Sequence, residues 1–306
     1  VDQNYPHDLG NIWMNGYRAQ RLEELFNSKK RYNFNDFAAW QLDFHCQPGL
    51  DFAQFMDNFL DSATIEGLPK RVQHCIELLT KWDGNLTADS VGGTVYQVLK
   101  QQLIDLIFGA GRAISGRVTV PELSVFEITE FFGHDSTTIL RLLKHPESSW
   151  WTDRSVEATV LTAWNQTEVF LTQQLGAEMP QWTWGRLHTM TAKHALGVKK
   201  PLDEIFDVGK QAIGGDTDTL CQIAFVPGKQ YGGTMVGASY RQMIHMGDFD
   251  KSVCIAPVGQ SGNFVSAHYQ DQFDRWAKGK YKPMIWSDDQ VQRHQKYEAV
   301  LKPPLS

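Results

Sequence analysis

A chain of 306 residues exceeds the size at which a single hydrophobic core keeps growing, so more than one structural unit is expected. Its 42% hydrophobic and 21% charged residues are those of a soluble globular protein, and the net charge of -6 argues against a nucleic-acid footprint. The longest largely apolar stretches, such as Leu103 to Gly109, are too short to span a bilayer. The four cysteines, Cys46, Cys75, Cys221 and Cys254, lack metal-ligand spacing and are expected to be buried thiols.

The chain opens on polar, turn-forming residues with no initiator Met and no signal-type segment, as if cut from something longer. Asp8 falls in a loop. Tyr17 to Asn27 reads as a short amphipathic helix with Leu22, Leu25 and Phe26 on one face. Asn35 is the expected cap of a helix over Asp36 to Cys46, which Pro48-Gly49 breaks. Further helices are expected over Leu50 to Leu60, Pro69 to Trp82, Thr94 to Phe108, Asp135 to Lys144 and Asp153 to Leu175. From Trp182 onward strands and helices mix. Thr219 to Val226, Ser239 to Met246 and Ser252 to Val258 are the expected strands, followed by helices over His268 to Lys278, capped by Ser266, and Asp288 to Leu301. Ser239 to Met246 alternates, with Tyr240, Gln242, Ile244 and Met246 on one side and Arg241, Met243 and His245 on the other. Ser252 to Val258 is apolar on both faces, so it is expected to pair with or pack on segments outside this chain.

Few residues announce chemistry by themselves. Gly259-Gln260-Ser261-Gly262 is not a nucleophile elbow, because Asn263 stands where that motif needs Gly; turn chemistry accounts for Ser261. The pairs Asp216/Asp218 and Asp248/Asp250 resemble half a calcium loop without its closing Glu, so turn and cap roles are expected. His188 and His194 are six apart, a spacing that fits no ligand pair, and His268 is expected to pack or hydrogen-bond. The tryptophans Trp82, Trp164, Trp276 and Trp286 sit in apolar patterns and read as core. A sugar-binding, two-carboxylate glycoside hydrolase and a non-catalytic scaffold or binding protein stay open as alternatives.

Three linked blocks carry a resemblance: SYRQMIHMGD (239–248), IAPVGQSGN (255–263) and HYQDQFDRWAKGKYKPM (268–284). With YPHDLGNIWMNGYRAQRLEELF (5–26) near the start, they resemble the C-terminal part of the β chain of the penicillin acylase (penicillin amidase) family of N-terminal nucleophile hydrolases. The resemblance covers both ends well and the helical middle loosely. It implies an α+β fold: a four-layer αββα core with a helical domain beside it. Residues 1–32 would then be a segment of the core, 33–175 a helical insertion and 176–306 the C-terminal strands and helices of the core.

The activity implied is hydrolysis of an acyl amide through an acyl-enzyme on an N-terminal Ser. Val1 has no nucleophilic atom, so the nucleophile and the oxyanion asparagine are expected upstream, and residues 1–306 alone are expected to be inactive. Arg18 matches the family's active-site arginine as a positioning residue, with a structural salt bridge as its plain alternative and Arg21 as the neighbour one turn on. Asp8 is either an exposed loop carboxylate or a structural calcium ligand, the other ligands lying upstream. No organic cofactor is implied. The expected partners are the upstream β-chain segment, the α chain of the same precursor and a small acyl-amide substrate, with no nucleic acid or membrane, in a periplasmic or secreted setting.

Overall fold

The structure is a computed structural model that describes residues 5–7, 10, 13–108, 113–114, 118–119, 133–151, 154–225, 231 and 236–303. Helices α1 (Tyr17–Asn27), α2 (Phe34–Trp40), α3 (Gln47–Phe59), α4 (Ser62–Gly67), α5 (Lys70–Thr80), α6 (Val91–Phe108), α7 (Asp135–Leu143) and α8 (Val156–Leu175) fill the first part of the chain. Shorter helices follow at α9 (Trp184–Leu187), α10 (Asp203–Phe206), α11 (Phe273–Ala277) and α12 (Asp288–His294). Residues 1–30, 43–191 and 210–237 form one unit, and residues 31–42, 192–209 and 238–306 a second.

The first unit is built on α6. All but Val91, Gln102, Asp105 and Leu106 of that helix are buried, as a helix surrounded on every side must be. It packs chiefly on α8 and α5. The start of α6 has to be glycine, because a Cβ on Gly92 would lie 2.5 Å from Trp82 Cβ, and one on Gly49 2.4 Å from the same indole ring. The short side chains let Trp82 stack on Tyr96 at 5.9 Å between ring centroids. Arg71 of α5 ties α8 down by donating to Glu168 and Thr172 while its guanidinium lies over Trp182. The side chain of Ser155 caps α8 by accepting from Ala158 N at 3.0 Å; the expected start at Asp153 lies outside the described residues. The four cysteines are buried thiols, as their spacing implies.

Local chemistry moves several expected boundaries. Asn33, not Asn35, caps α2: its side chain accepts from Asn35 N and Asp36 N while Asp36 accepts from Asn33 N, a complete capping box. The helix stops at Trp40, and His45 bridges Asn85 in extended backbone instead of continuing the helix to Cys46. Pro48 and Gly49 do not break a helix but sit in the first turn of α3, where a missing N–H costs nothing.

The strands in chain order are β1 (Ala113–Ile114), β2 (Val118–Thr119), β3 (Thr189–Ala192), β4 (Val208–Ala212), β5 (Ile223–Ala224), β6 (Val236–Gly237), β7 (Arg241–Met243), β8 (Val253–Ile255) and β9 (Lys282–Pro283), and in the second unit three antiparallel strands lie in the order β7, β8, β9. Strand β8 is therefore paired on both edges within this chain, Cys254 opposite Gln242 and Lys282, which corrects the pairing half of the expectation that 252–258 pairs with or packs on segments outside it. The alternation of 239–246 holds, yet the buried side is the one carrying Arg241 and Met243, while Tyr240, Ile244 and Met246 are exposed. Arg241 is accommodated because its guanidinium donates to Trp276 O at 2.9 Å and stacks 4.5 Å from the Trp276 ring. Trp276 Nε1 donates in turn to Ala238 O.

Ser266 accepts from His268 N in a local turn, so the last long helix expected there shrinks to α11, which begins only after the buried Gln272 bonds Ala256 N. The side chain of Asp248 accepts from Asp250 N, and Asp250 accepts from Trp286 N, Ser287 N and Ser287 Oγ, the turn and cap roles expected of the pair. Ser261 Oγ accepts from Asn263 N at 3.1 Å, a turn role as well.

Candidate functional site

Two groups of residues in the first unit bear on function. The first is the exposed face of α1. Arg18, in its first turn, donates from Nη1 to Gln222 Oε1 at 3.3 Å and lies at the surface. Arg21, one turn on, is committed elsewhere: Nε and Nη2 grip Asp43 at 3.1 and 2.8 Å, and Nη1 reaches Glu24. Of the two arginines, Arg21 is the structural one and Arg18 presents its fork outward. Asp8 lies outside the described residues. Among the described residues no group of three or more His, Cys, Asp or Glu is arranged to hold a metal ion.

The second group is a buried polar cluster around the loop 216–222. The glycine before it, Gly215, has φ of +81°, a conformation other residues adopt only with strain, and lets the loop turn into the core. Asp216 organises the loop by accepting from Asp218 N at 2.8 Å and Thr219 N at 3.0 Å. Gln97 on α6 donates to the other oxygen of Asp216 at 2.6 Å, and Cys46 Sγ lies 3.7 Å from it. Asp218 accepts from Asn15 Nδ2 at 2.6 Å and from Ser136 Oγ of α7 at 2.8 Å. Asp135, also on α7, faces the Lys100 ammonium at 3.2 Å. Gln97 Oε1 has no hydrogen-bond partner among the described residues.

Three carboxyls against one ammonium in a site sealed from water set the electrostatics. Burial, with Asp216 and Asp135 beside it, pushes the Asp218 carboxyl up to about 7. Burial alone would lower the Lys100 ammonium, but Asp135, Asp216 and Asp218 outweigh it and hold it above its ordinary value. Burial, reinforced by Asp216 and Asp218, raises the Cys46 thiol, which is therefore an inert thiol and not a nucleophile. Nearby, His188 donates from Nδ1 to Ile213 O at 3.0 Å and stacks on Trp184 at 4.7 Å; burial lowers it to about 4, so it is a neutral packing residue at physiological pH.

Asp216 does the turn work expected of it, whereas the Asp218 side chain reaches Asn15 and Ser136 instead, and the convergence of the pair with Lys100, Asp135 and Ser136 is new. One signal for it is in the sequence: Gln97, Lys100 and Gln101 fall on one face of an otherwise apolar helix. A polar row inside a helix with no solvent side has to meet polar partners.

A family model described as penicillin amidase matches residues 1–293. The chain is 26% identical over 310 residues to the acyl-homoserine lactone acylase QuiP of Pseudomonas aeruginosa, covering 92% of this chain and 36% of that protein. It is 25% identical over 284 residues to the penicillin acylase 2 proenzyme of Pseudomonas sp. (strain SE83), covering 90% and 34%. This chain thus spans about a third of the length of these curated relatives. The solved structure of a thermostable penicillin G acylase from Alcaligenes faecalis matches with a TM-score of 0.53 at 15% identity, over 100% of this chain and 57% of that one, a likeness of fold.

Proposed function

Because this chain belongs to the penicillin amidase family, we propose that it is one part of an amide hydrolase that transfers an acyl group to water through an acyl-enzyme. The observation that carries this is the family match across 1–293, which includes the α1 segment and the SYRQM, IAPVGQSGN and HYQDQ blocks together. In this reading the nucleophile is the hydroxyl of an N-terminal Ser outside residues 1–306. Its own α-amino group, with a pKa near 8, serves as base, and the oxyanion is held by an asparagine side chain and a backbone N–H. The turn roles of Ser261 and Ser266 support a nucleophile located elsewhere.

Arg18 acts as a positioning residue. Its exposure on α1, against the saturated ion pairing of Arg21, supports that assignment. The short sheets are portions of a four-layer αββα core, residues 33–175 are the helical insertion beside it, and the upstream segment and α chain of the same precursor complete the molecule. Asp8 is a calcium ligand whose companions lie outside this chain, and no step of the reaction passes through the metal. A periplasmic or secreted setting follows the same reading; no described helix is long and apolar enough to cross a membrane.

The relatives' names point to two substrate classes, penicillins and N-acyl-homoserine lactones. The test is to incubate the complete protein with one of each and follow products by mass spectrometry. Equal amounts of carboxylic acid and amine are expected, and Arg18→Ala should lower kcat/KM by about 10²-fold, the cost of misplacing reacting groups. Cleavage of neither amide, with the folded protein merely binding them, would favour a scaffold. The three carboxyls that converge in the described residues, Asp135, Asp216 and Asp218, are buried, which does not favour a carboxylate-based glycoside hydrolase acting through them.

A further inference from the structure

We infer that a proton shared among Asp218, Ser136 and Asp135 latches the loop 216–222, and with it the chain leading into α1, to the helical core, and that losing this proton opens the latch. The inference starts from counting donors. Both oxygens of Asp216 are served as an anion: two loop amides on one, Gln97 Nε2 on the other. Asp135 is served as an anion by Lys100 Nζ on one oxygen and Ser136 N on the other. On Asp218 one oxygen accepts from Asn15, while the other faces Ser136 Oγ at 2.8 Å.

That hydroxyl is also 3.2 Å from Asp135 Oδ1, 3.2 Å from Tyr96 OH and 3.5 Å from Lys100 Nζ, so every carboxyl oxygen of the cluster has a donor and the imbalance is one of charge: three carboxyls face one ammonium. A proton on Asp218 removes one of those charges, with Asp218 donating to Ser136 Oγ and Ser136 donating to Asp135. The exposures are 3% for Asp218, 2% for Asp135, 0% for Asp216 and 4% for Lys100, so water does not screen these charges.

The described groups around Asp218 give it no cation of its own. Asp216 lies on the same loop, Asp135 and Ser136 on α7, and Lys100, Tyr96 and Gln97 on α6. Cys46 lies ahead of α3, and Tyr17 on α1 donates to Asp51 of α3. Lys100 is the one cation in this set and is already paired with Asp135. Deprotonation therefore adds a second uncompensated negative charge to a sealed site, which relaxes by admitting water. The contacts that part most readily are those at the rim, Asn15–Asp218 and Ser136–Asp218. Asn15 immediately precedes α1, and Gln222, at the far end of the loop, holds Arg18. The latch thus couples local pH to the mobility of α1, whatever the substrate is, and does not depend on the hydrolase assignment.

The test uses the complete protein, scanned from about pH 5 to about pH 9. Infrared difference spectra should show a carboxylic-acid carbonyl band that titrates away near neutrality. Amide exchange over 13–27, corrected for its intrinsic pH dependence, should lose protection by about tenfold per pH unit above that midpoint, as linkage to one proton demands. Asp218→Asn keeps a neutral donor toward Ser136, so both the band and the pH step in protection should vanish while circular dichroism is unchanged. Should that variant not fold, Ser136→Ala provides the second arm, because removing the relay must move the midpoint. The inference is overturned by the absence of a titrating acid band in the wild type, by a step that persists in Asp218→Asn, or by a midpoint indifferent to Ser136→Ala.

Discussion

Lys100 shows how a single buried charge is tolerated. Its ammonium answers Asp135 and lies 5.4 Å from the Tyr96 ring centroid, both reached from one face of α6. Replacing it by Met leaves the carboxyls without their cation, and we expect a loss of about 3–5 kcal/mol in urea unfolding, the cost of breaking one side of a buried pair. Lys278→Met removes an exposed partner of Asp274 and should leave the midpoint unchanged. His188 makes a pH prediction of the opposite sign to Asp218. Its folded form is held near 4 against an ordinary 6.5, so its stabilisation is complete above 6.5 and is lost as pH falls from there through 4. Asp218, raised from 3.8 to about 7, stabilises most at low pH and loses that contribution as pH rises between those values. His188→Gln should flatten the acid side of the stability profile alone, read by denaturation at a series of pH values. Neither residue's environment was legible beforehand. Spacing marks Asp216 and Asp218 as turn formers, which holds for the Asp216 side chain, but says nothing of Asp218 reaching Asn15 and Ser136 or of Asp135 arriving from a distant helix.

Among elements, the helices were the legible part, because apolar spacing and caps are local. Tyr17–Asn27 falls where the Leu22, Leu25, Phe26 face puts it, and the other helices shift mainly at their ends. Strands were overextended: alternation over 239–246 reports which side chains are buried, whereas pairing stops at Met243, ahead of the turn at Gly247-Asp248. One of the two partners of β8 comes from residues 282–283, far along the chain, and pairing of that kind has no local signature. The contact between Trp82 and the start of α6 gives an element-level prediction. Gly92→Ala must push a methyl into Trp82 and the Leu78 carbonyl, and should cost about 1–3 kcal/mol despite alanine's better helix propensity. Gly67→Ala, at the end of α4 with nothing within 4 Å, should be neutral or slightly stabilising, so comparing the two melting temperatures separates overpacking from propensity.

At the scale of the molecule, the family match runs over residues 1–293, and the blocks SYRQM, IAPVGQSGN and HYQDQ fall in one unit with Arg241 and Trp276. The chain covers about a third of its curated relatives, and under the proposed function the nucleophile and oxyanion hole lie outside residues 1–306. Residues 1–306 produced alone should therefore show no amide turnover under conditions where the complete protein releases acid and amine. The most direct measurement is to trap the acyl-enzyme of the complete protein with a slowly deacylating substrate and map the adduct by peptide mass spectrometry. The account predicts a single acyl group on an N-terminal serine outside residues 1–306, with every peptide of 1–306 unmodified; an acyl group on a hydroxyl within 1–306, such as Ser261, would contradict it.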